Sequence, residues 1–300
     1  TTSKVNEILN KALKLKGLNL EDVACLLRVT DTDTIHKIME TAKTVKEAIY
    51  GKRLVLFAPI YTGNICVNNC TYCSFRRDNK LIKRKILTMQ EIAEETSALL
   101  KQGHKRALLI CGENNKNGTD YMVEAIRTTY GVKERGGKDY IRRINVELAP
   151  MEVEEFARLK AEKIGTYVCF QETYDEIKYK DFHPAGTPKA DYLYRLTVMD
   201  RAMEGGVDDV GIGALFGLTD YRFAAMLASF SNTLAASALR LASSFAARSL
   251  SSTAIIWAHS NAALAAPLMA TVATGMPVGI CTVESKASKP SIIPPLQGIP

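Results

Sequence analysis

Histidine is scarce in this chain of 300 residues, which contains only four. A structural zinc site is closed by four protein ligands, usually cysteine and histidine. No histidine stands at the usual ligand spacing from a cysteine; the four are His36, His104, His183 and His259. A zinc knuckle would have to borrow a distant fourth ligand, so zinc is only an alternative interpretation of any cysteine cluster in this chain.

Signals for secretion, membrane insertion and nucleic-acid binding are missing as well. The seven cysteines are an odd count and no signal peptide is recognisable, so we expect a reducing, cytoplasmic location without a disulfide framework. Polar residues, Pro and Gly interrupt every candidate run of about 20 apolar residues, so we expect no membrane span. Neither a basic aromatic platform nor a known motif predicts binding to DNA or RNA.

Charge is nearly absent from the last quarter of the chain. Only five charged residues follow residue 230, and Ala and Ser dominate there. We therefore predict three regions: helices over residues 1–52, an α/β domain over 53–224 and an atypical tail over 225–300. Because the chain does not begin with Met, we expect a fragment or a processed chain.

The net charge of +7 is spread along much of the chain, with one basic cluster. Such a cluster predicts a solvated face or, alternatively, attraction of anionic small molecules or an acidic partner. Its members are Arg76, Arg77, Lys80, Lys83, Arg84 and Lys85.

The main part of the chain alternates short apolar runs with amphipathic segments. This alternation predicts an α/β fold with parallel strands joined by helices, preceded by N-terminal helices. One N-terminal helix is predicted to begin at Asn19 and another to stop at Gly51. Five strands are predicted, and a sixth is a guess; the five are 54–60, 107–111, 144–148, 166–170 and 210–215.

Three cysteines, Cys66, Cys70 and Cys73, follow the first predicted strand. Loops at the carboxyl ends of strands are where α/β proteins place reactive groups. Three thiols at this spacing can bind one shared metal centre. Iron–sulfur clusters are usually held by four cysteine thiolates, one more than this loop supplies. The loop therefore predicts a cluster with one iron open to an outside ligand, with zinc or unrelated free cysteines as the alternatives.

Polar residues on the next two strands are candidate ligand-binding groups. Gly112 and Glu113 end the second strand, where a carboxylate could accept hydrogen bonds from an ammonium group. Asn145 and Glu147 alternate with apolar residues on the third strand, so they share one face. That face points either into a barrel cavity or out to solvent at an exposed edge.

The fourth strand is followed by a dense set of hydrogen-bonding and acid–base side chains. Gln171, Glu172, Tyr174 and His183 are the candidate catalytic residues, because they follow the carboxyl end of a strand. Arg195, on the next predicted helix, is a candidate donor to a carboxylate.

The loop Cys66–Cys73, with its C-x3-C-x2-C spacing, resembles the signature of the radical S-adenosylmethionine (SAM) family. The resemblance implies a partial (βα)6 TIM-like barrel, a [4Fe-4S] cluster on the three cysteines and SAM on the open iron. Gly112 and Glu113 resemble the Gly-Gly-Glu motif that binds the amine of SAM, although Cys111 replaces the first Gly. Tyr72, the aromatic residue before the last cysteine, is assigned to the SAM site together with Asn145, Glu147 and Arg195.

The motifs 170–174, 183–184 and 210–213 are similar to the aromatic-amino-acid lyase branch, and especially to the HydG tyrosine lyases. The resemblance implies that a 5′-deoxyadenosyl radical cleaves the Cα–Cβ bond of L-tyrosine to p-cresol and dehydroglycine, during maturation of the [FeFe]-hydrogenase H-cluster. It also implies a reductant such as ferredoxin or flavodoxin, and other hydrogenase maturases as partners. The alternatives are a ThiH-like lyase of thiamine thiazole synthesis and a non-catalytic metal-binding scaffold.

The resemblance ends near residue 225. HydG-type enzymes carry a second cluster on a C-terminal cysteine motif, whereas only Cys281 follows Cys169 in this sequence. We therefore expect no second cluster, and we hypothesise that the tail is a frame-shifted or truncated reading. A search of the other two reading frames for a family-like continuation tests that hypothesis.

Overall fold

The computed structural model describes residues 2–53 and 55–225. They fall into two compact units. The described residues of the first unit are 2–53, 55, 171–175 and 213–225, and those of the second are 56–170 and 176–212.

The described residues of the first unit include three helices: α1 (Thr2–Ala12), α2 (Leu20–Leu26) and α3 (Thr32–Tyr50). The predicted cap of α2 is confirmed, because the Asn19 side chain accepts a hydrogen bond from the Asp22 amide over 2.8 Å. Gly51 ends α3 with a φ of 64°, a backbone conformation that favours glycine. The helices are held together by a small apolar core of Val5, Ile8, Leu9, Leu26, Ile38 and Ala42.

The second unit is built on a parallel sheet of five strands, which confirms the predicted α/β class. Its strand order is β1-β2-β5-β6-β7, and a separate antiparallel pair is formed by β3 and β4. The strands are β1 (Ala58–Gly63), β2 (Arg106–Cys111), β3 (Lys133–Glu134), β4 (Asp139–Tyr140), β5 (Arg143–Glu147), β6 (Thr166–Val168) and β7 (Asp209–Gly211). The helices are α4 (Met89–Lys101), α5 (Thr119–Gly131), α6 (Val153–Ala161), α7 (Glu176–Phe182), α8 (Tyr192–Leu196) and α9 (Val198–Glu204).

The sheet of the second unit buries alternate residues against the helices. Ile144 and Val146 of β5 are fully buried in one apolar core with Phe156 of α6. Phe156 also meets the Tyr167 ring of β6 edge-on, with 4.6 Å between the ring centroids. The core is thus formed by one face of each strand and by the helices that connect the strands.

The other face of the sheet carries a row of partly buried residues in register. The row runs across all five strands: Tyr61, Ile110, Glu147, Val168 and Gly211. In a closed or partly closed barrel, the face opposite the helices looks inward. The prediction that Asn145 and Glu147 share a face is confirmed, since both are partly buried while Ile144 and Val146 are fully buried.

The first predicted strand was placed too early in the sequence. We predicted a buried strand over residues 54–60, but β1 begins at Ala58. Val55, Leu56 and Phe57 are 64%, 71% and 49% exposed. The reason is that Ala58 pairs with Ala107 near the start of β2, so the earlier residues have no described strand beside them.

Other boundaries moved by a few residues. The helix predicted near residues 191–203 is two helices, α8 and α9, separated by Thr197. The last strand was predicted over 210–215, whereas β7 is the three residues Asp209–Gly211. The pair of β3 and β4 was not predicted at all.

The predictions for residues 226–300 lie outside the described residues, and the described residues do not test the guess of a sixth strand. Among the residues that the structure describes, no helix is both long enough and apolar enough to span a membrane.

Candidate functional site at the carboxyl ends of β1 and β2

The cysteine loop begins directly after β1, at the carboxyl end of the sheet. Cys70 is 5% exposed, whereas Cys66 and Cys73 are partly buried. The Cys73 amide donates to the Cys70 carbonyl over 3.1 Å, and the Phe75 amide points at the Cys73 sulfur over 3.4 Å. Burial raises the pKa of the Cys70 thiol, and the charge of Lys189 opposes that shift. Binding of a metal would therefore have to replace a proton at Cys70.

Arg84 fastens the two ends of this loop together. Its guanidinium donates four hydrogen bonds to backbone carbonyls on both sides of the cysteines. The acceptors are the carbonyls of Asn64 at 2.6 Å, Phe75 at 2.8 Å, Arg76 at 2.6 Å and Asn79 at 3.0 Å. The interpretation of the basic cluster as a solvated face is therefore wrong for Arg84, whose guanidinium is hydrogen-bonded to the backbone of the loop.

Gly112 allows the end of β2 to pack directly on the cysteine loop. A Cβ atom at this position would lie 2.4 Å from the Ile65 carbonyl oxygen and 3.1 Å from the Cys66 Cβ. The Gly112 amide also donates to the Gly63 carbonyl over 2.9 Å. The cysteine loop therefore occupies the space that a side chain at this position would take.

Glu113 is hydrogen-bonded to the cysteine loop through its backbone and its side chain. Its carbonyl accepts a hydrogen bond from the Val67 amide over 2.8 Å. Its carboxylate Oε2 accepts one from Nδ2 of Asn68 over 2.6 Å. The predicted metal-binding loop and the predicted SAM-binding turn therefore form one hydrogen-bonded assembly.

Sequence reasoning did not single out Asn68, whose side chain belongs to this hydrogen-bonded assembly. It is only 3% exposed, and its Oδ1 accepts a hydrogen bond from the Lys189 amide over 2.8 Å. The only available signal was its position two residues after Cys66, and that position carries no chemistry by itself.

His183 is buried beneath the cysteine loop. It is 2% exposed, its Nδ1 lies 2.8 Å from the Tyr179 carbonyl oxygen, and its Nε2 lies 2.8 Å from the Tyr72 hydroxyl. A carbonyl oxygen only accepts, so we assign the proton to Nδ1, and Nε2 then accepts from Tyr72. The structure thus brings His183 to the loop, in contact with Tyr72.

Asn145 and Glu147 lie at different depths along β5. Asn145 Oδ1 accepts hydrogen bonds from Arg143 Nε over 3.2 Å and from the Thr166 amide over 3.1 Å. Glu147 lies nearer the carboxyl end of the strand, in the same row as Tyr61. Burial raises the pKa of Tyr61, and the Glu147 charge raises it further. Of the two, Glu147 is placed closer to the level of the cysteine loop.

Two of the remaining predicted site residues, Arg195 and Glu172, make hydrogen bonds that involve backbone carbonyls. Arg195 of α8 donates from Nε to the Phe170 carbonyl over 2.8 Å. Gln171, Glu172 and Tyr174 belong to the first unit. Glu172 has a φ of 69°, and its carbonyl accepts a hydrogen bond from the Leu215 amide over 2.7 Å. The catalytic roles of these residues stay predictions.

The residues at this site fit the cofactors that the sequence predicts. Three thiols from one loop are suitable donors for an iron–sulfur cluster, and a carboxylate at hydrogen-bonding distance from that loop is suitable for an ammonium group. Within the described residues, no group of three or more His, Cys, Asp or Glu side chains is placed to hold a single metal ion. That finding concerns a single ion, because a four-iron cluster separates its thiolates more widely than one ion does.

The fold and the site together define the class. The chain is an α/β protein with a parallel sheet and a three-cysteine loop at the carboxyl end of the first strand. Residues 60–228 match the family model of the Radical SAM superfamily, and the chain belongs to that superfamily. The predicted family is therefore confirmed.

Similar proteins include a 2-iminoacetate synthase and two HydG maturases. The 2-iminoacetate synthase of Salmonella typhimurium is 33% identical over 211 residues, which cover 70% of this chain and 53% of that protein. A crystal structure of HydG, a maturase of the [FeFe]-hydrogenase, is 46% identical with a TM-score of 0.75, over 78% of this chain and 51% of the other. The HydG of Carboxydothermus hydrogenoformans is 41% identical with a TM-score of 0.69. The match covers 77% of this chain and 53% of that HydG. The chain thus spans about half the length of these relatives.

Proposed function

We propose that this chain carries the catalytic core of a radical SAM lyase that cleaves the Cα–Cβ bond of L-tyrosine. The products are p-cresol and dehydroglycine; the hydrogen atom removed from tyrosine stays on 5′-deoxyadenosine, so one further electron from the reductant and one proton complete p-cresol. One observation carries the proposal: the cysteine loop is hydrogen-bonded to Glu113 in a chain 46% identical to a HydG. The 2-iminoacetate synthase relative supports the same reaction, because 2-iminoacetate is dehydroglycine.

In this proposal Cys66, Cys70 and Cys73 hold a [4Fe-4S] cluster, and Glu113 binds the amino group of SAM. When bound, these cofactors supply a 5′-deoxyadenosyl radical that removes a hydrogen atom from the substrate, with electrons from a reductant such as ferredoxin or flavodoxin. Tyr72 and Glu147 are proposed to contact SAM, together with Gly112, Asn145 and Arg195. Gln171, Glu172, Tyr174 and His183 are proposed to serve the substrate side of the reaction.

The chain's own residues provide rigid positioning and a low-water environment. Arg84 holds the ends of the loop, Gly112 lets β2 pack on it, and burial of Cys70 keeps solvent from part of the cluster site. Rigid placement matters because an uncontrolled radical reacts with water, oxygen or protein instead of the intended hydrogen atom.

Anaerobic reconstitution with iron and sulfide tests the proposal. We expect a brown protein whose absorbance bleaches with dithionite, and formation of 5′-deoxyadenosine and p-cresol on addition of SAM and L-tyrosine. Cys70→Ala should abolish both products, whereas Cys25→Ala, outside the loop, should keep them. Deoxyadenosine without p-cresol would exclude tyrosine cleavage but retain radical SAM chemistry. A colourless protein that binds zinc would instead support a metal-binding scaffold.

We further propose that the lyase acts in maturation of the [FeFe]-hydrogenase H-cluster, with other hydrogenase maturases as partners. The greater identity to the two HydG structures favours this role. The 33% identity to a 2-iminoacetate synthase favours the alternative, in which dehydroglycine is used for thiazole synthesis. Coupled assays separate the roles: formation of thiazole when the reaction is combined with the enzymes of thiazole synthesis points to the alternative, whereas no thiazole together with binding of the other hydrogenase maturases in a pull-down points to H-cluster maturation.

A further inference from the structure

Asn68 connects three parts of the site through one buried side chain. Its Nδ2 donates to Glu113 Oε2 over 2.6 Å and also lies 3.8 Å from the Cys66 sulfur. Its Oδ1 accepts from the Lys189 amide over 2.8 Å. A buried amide whose two ends are both engaged has little freedom to rotate.

The orientation of this amide follows from its partners. A backbone N–H can only donate, so the end of Asn68 that faces Lys189 must be the oxygen. The NH₂ end then necessarily faces Glu113 and Cys66, both of which accept hydrogen bonds. The backbone carbonyl of Asn68 also accepts from the Arg77 amide over 2.7 Å, which holds the main chain in place.

We propose that Asn68 is a positioning residue that couples the cluster ligand Cys66 to the SAM-binding carboxylate of Glu113. This inference rests on the proposed function, because it needs the cluster and SAM at this site. Asn68 does not react with substrate. It sets the direction of the Glu113 carboxylate and supplies an N–H group to one cluster thiolate.

Two measurable consequences follow. Hydrogen bonds to cluster sulfurs stabilise the reduced state, so the Asn68 N–H raises the reduction potential of the cluster. A carboxylate held by a charge-assisted hydrogen bond meets the SAM ammonium group without first having to be ordered, so Asn68 also tightens SAM binding. If Asn68 only filled space, its replacement would lower neither the reduction potential of the cluster nor the affinity for SAM.

The test compares Asn68→Ala and Asn68→Asp with a matched control, Asn69→Asp. Asn68→Asp keeps the oxygen that faces Lys189, but it replaces the NH₂ donor by a second carboxylate against Glu113. Asn69→Asp makes the same chemical change one residue later, where Nδ2 donates to Asp78 over 2.7 Å instead of Glu113. Each reconstituted protein is titrated with dithionite to obtain the cluster potential, and with SAM while the EPR spectrum of the reduced cluster is recorded.

We expect both Asn68 variants to lower the potential and to weaken SAM binding about tenfold or more, the effect of losing one hydrogen bond to a charged group. Asn68→Asp should have the larger effect, since it adds charge repulsion. Asn69→Asp should change SAM binding far less. Thermal unfolding of each apo-protein checks that the variants fold, and Asn68→Asp is the variant that keeps the shape of the side chain.

The possible failures are distinguishable. If wild-type protein forms no SAM-responsive cluster, the proposed function and this inference are both overturned. If the wild type responds to SAM but Asn68→Ala matches it in potential and affinity, only the role of Asn68 is overturned. If Asn68→Asp and Asn69→Asp have equal effects, the added negative charge alone explains them. That result would also reject the coupling of Cys66 to Glu113 through Asn68.

Discussion

The hydroxyl of Tyr72 lies 2.8 Å from Nε2 of His183, and this contact ties the cysteine loop to the end of α7. The Thr71 amide reinforces the tie by donating to the Phe182 carbonyl over 3.1 Å. The two aromatic rings meet edge-on, with 5.6 Å between their centroids. The loop is therefore held by contacts with Phe182 and His183, more than a hundred residues further along the chain. We expect its conformation to depend on these contacts.

Tyr72→Phe should remove the hydrogen bond between the Tyr72 hydroxyl and Nε2 of the buried His183. A hydrogen bond of this kind contributes about 0.5–1.5 kcal/mol, so we expect the free energy of unfolding of the apo-protein to fall by that amount. Denaturant titration measures it. Tyr140→Phe, at a side chain that is 43% exposed, is the control and should change stability little. Equal stability of the two variants would show that the Tyr72–His183 contact contributes nothing.

Arg84→Lys should loosen the cysteine loop while conserving charge. A lysine ammonium lacks the planar fork that reaches four carbonyls, so several of these acceptors lose their partner. We expect a loss of roughly 2 kcal/mol or more in stability and a lower iron content after reconstitution and desalting. Arg77→Lys is the control, because Arg77 pairs with Asp78 at the surface. Iron retention equal to that of the control would contradict the role of Arg84 in the loop.

Gly112→Ala and Gly131→Ala should have opposite effects. The new methyl group at residue 112 would collide with the Ile65 carbonyl and displace the cysteine loop, so we expect reduced cluster incorporation and reduced stability. Nothing lies within 4 Å of a Cβ at Gly131, the last residue of α5. Alanine is favoured over glycine in the middle of a helix by about 0.5–1 kcal/mol, so at this last position Gly131→Ala should raise the melting temperature slightly and preserve cluster content. Normal iron content in Gly112→Ala would disprove the close packing of β2 on the loop.

Asp139 should make stability depend on pH on the acid side. Hydrogen bonds from Arg135 and Lys105 hold the pKa of its carboxyl well below its usual value of about 4. A lowered pKa in the folded state adds stability above the unfolded pKa, and this stability is lost as the pH falls toward the folded value. The difference in Tm between wild type and Asp139→Asn should therefore be largest above about pH 5 and should shrink toward pH 2.

The control for this pH series is Asp181→Asn, at an exposed carboxylate paired with Lys178. Its difference in Tm from the wild type should be small and nearly constant over the same range, because exposed pairs contribute little. A constant difference for Asp139→Asn as well would mean that the ion pairs of Asp139 do not stabilise the fold.

Local sequence patterns were sufficient for the fold class and for the position of the cysteine loop. Short apolar runs alternating with amphipathic helices predict a parallel sheet, and the spacing of Cys66, Cys70 and Cys73 predicts a shared ligand. The common face of Asn145 and Glu147 follows from the two-residue period of a strand. These properties are encoded within a few neighbouring residues, so they can be inferred without knowing where the chain folds back.

The boundaries of the strands required the tertiary structure. Residues 54–57 are as apolar as a buried strand, yet the paired strand begins only at Ala58 because that is where it meets β2. Strand pairing depends on a partner about fifty residues away, and local hydrophobicity does not specify which residue of the run meets that partner.

The connections that shape the site also depended on the fold. Arg84 binds backbone carbonyls, which every residue possesses, so no side-chain pattern marks its four acceptors. Asn68 reaches Glu113 and Lys189, which are 45 and 121 residues further along the chain. The candidate cluster ligands could be named from the sequence alone, because thiolate chemistry and spacing are local. The polar groups that hold the loop required the fold, because a hydrogen bond depends on the distance between atoms that are far apart in the sequence.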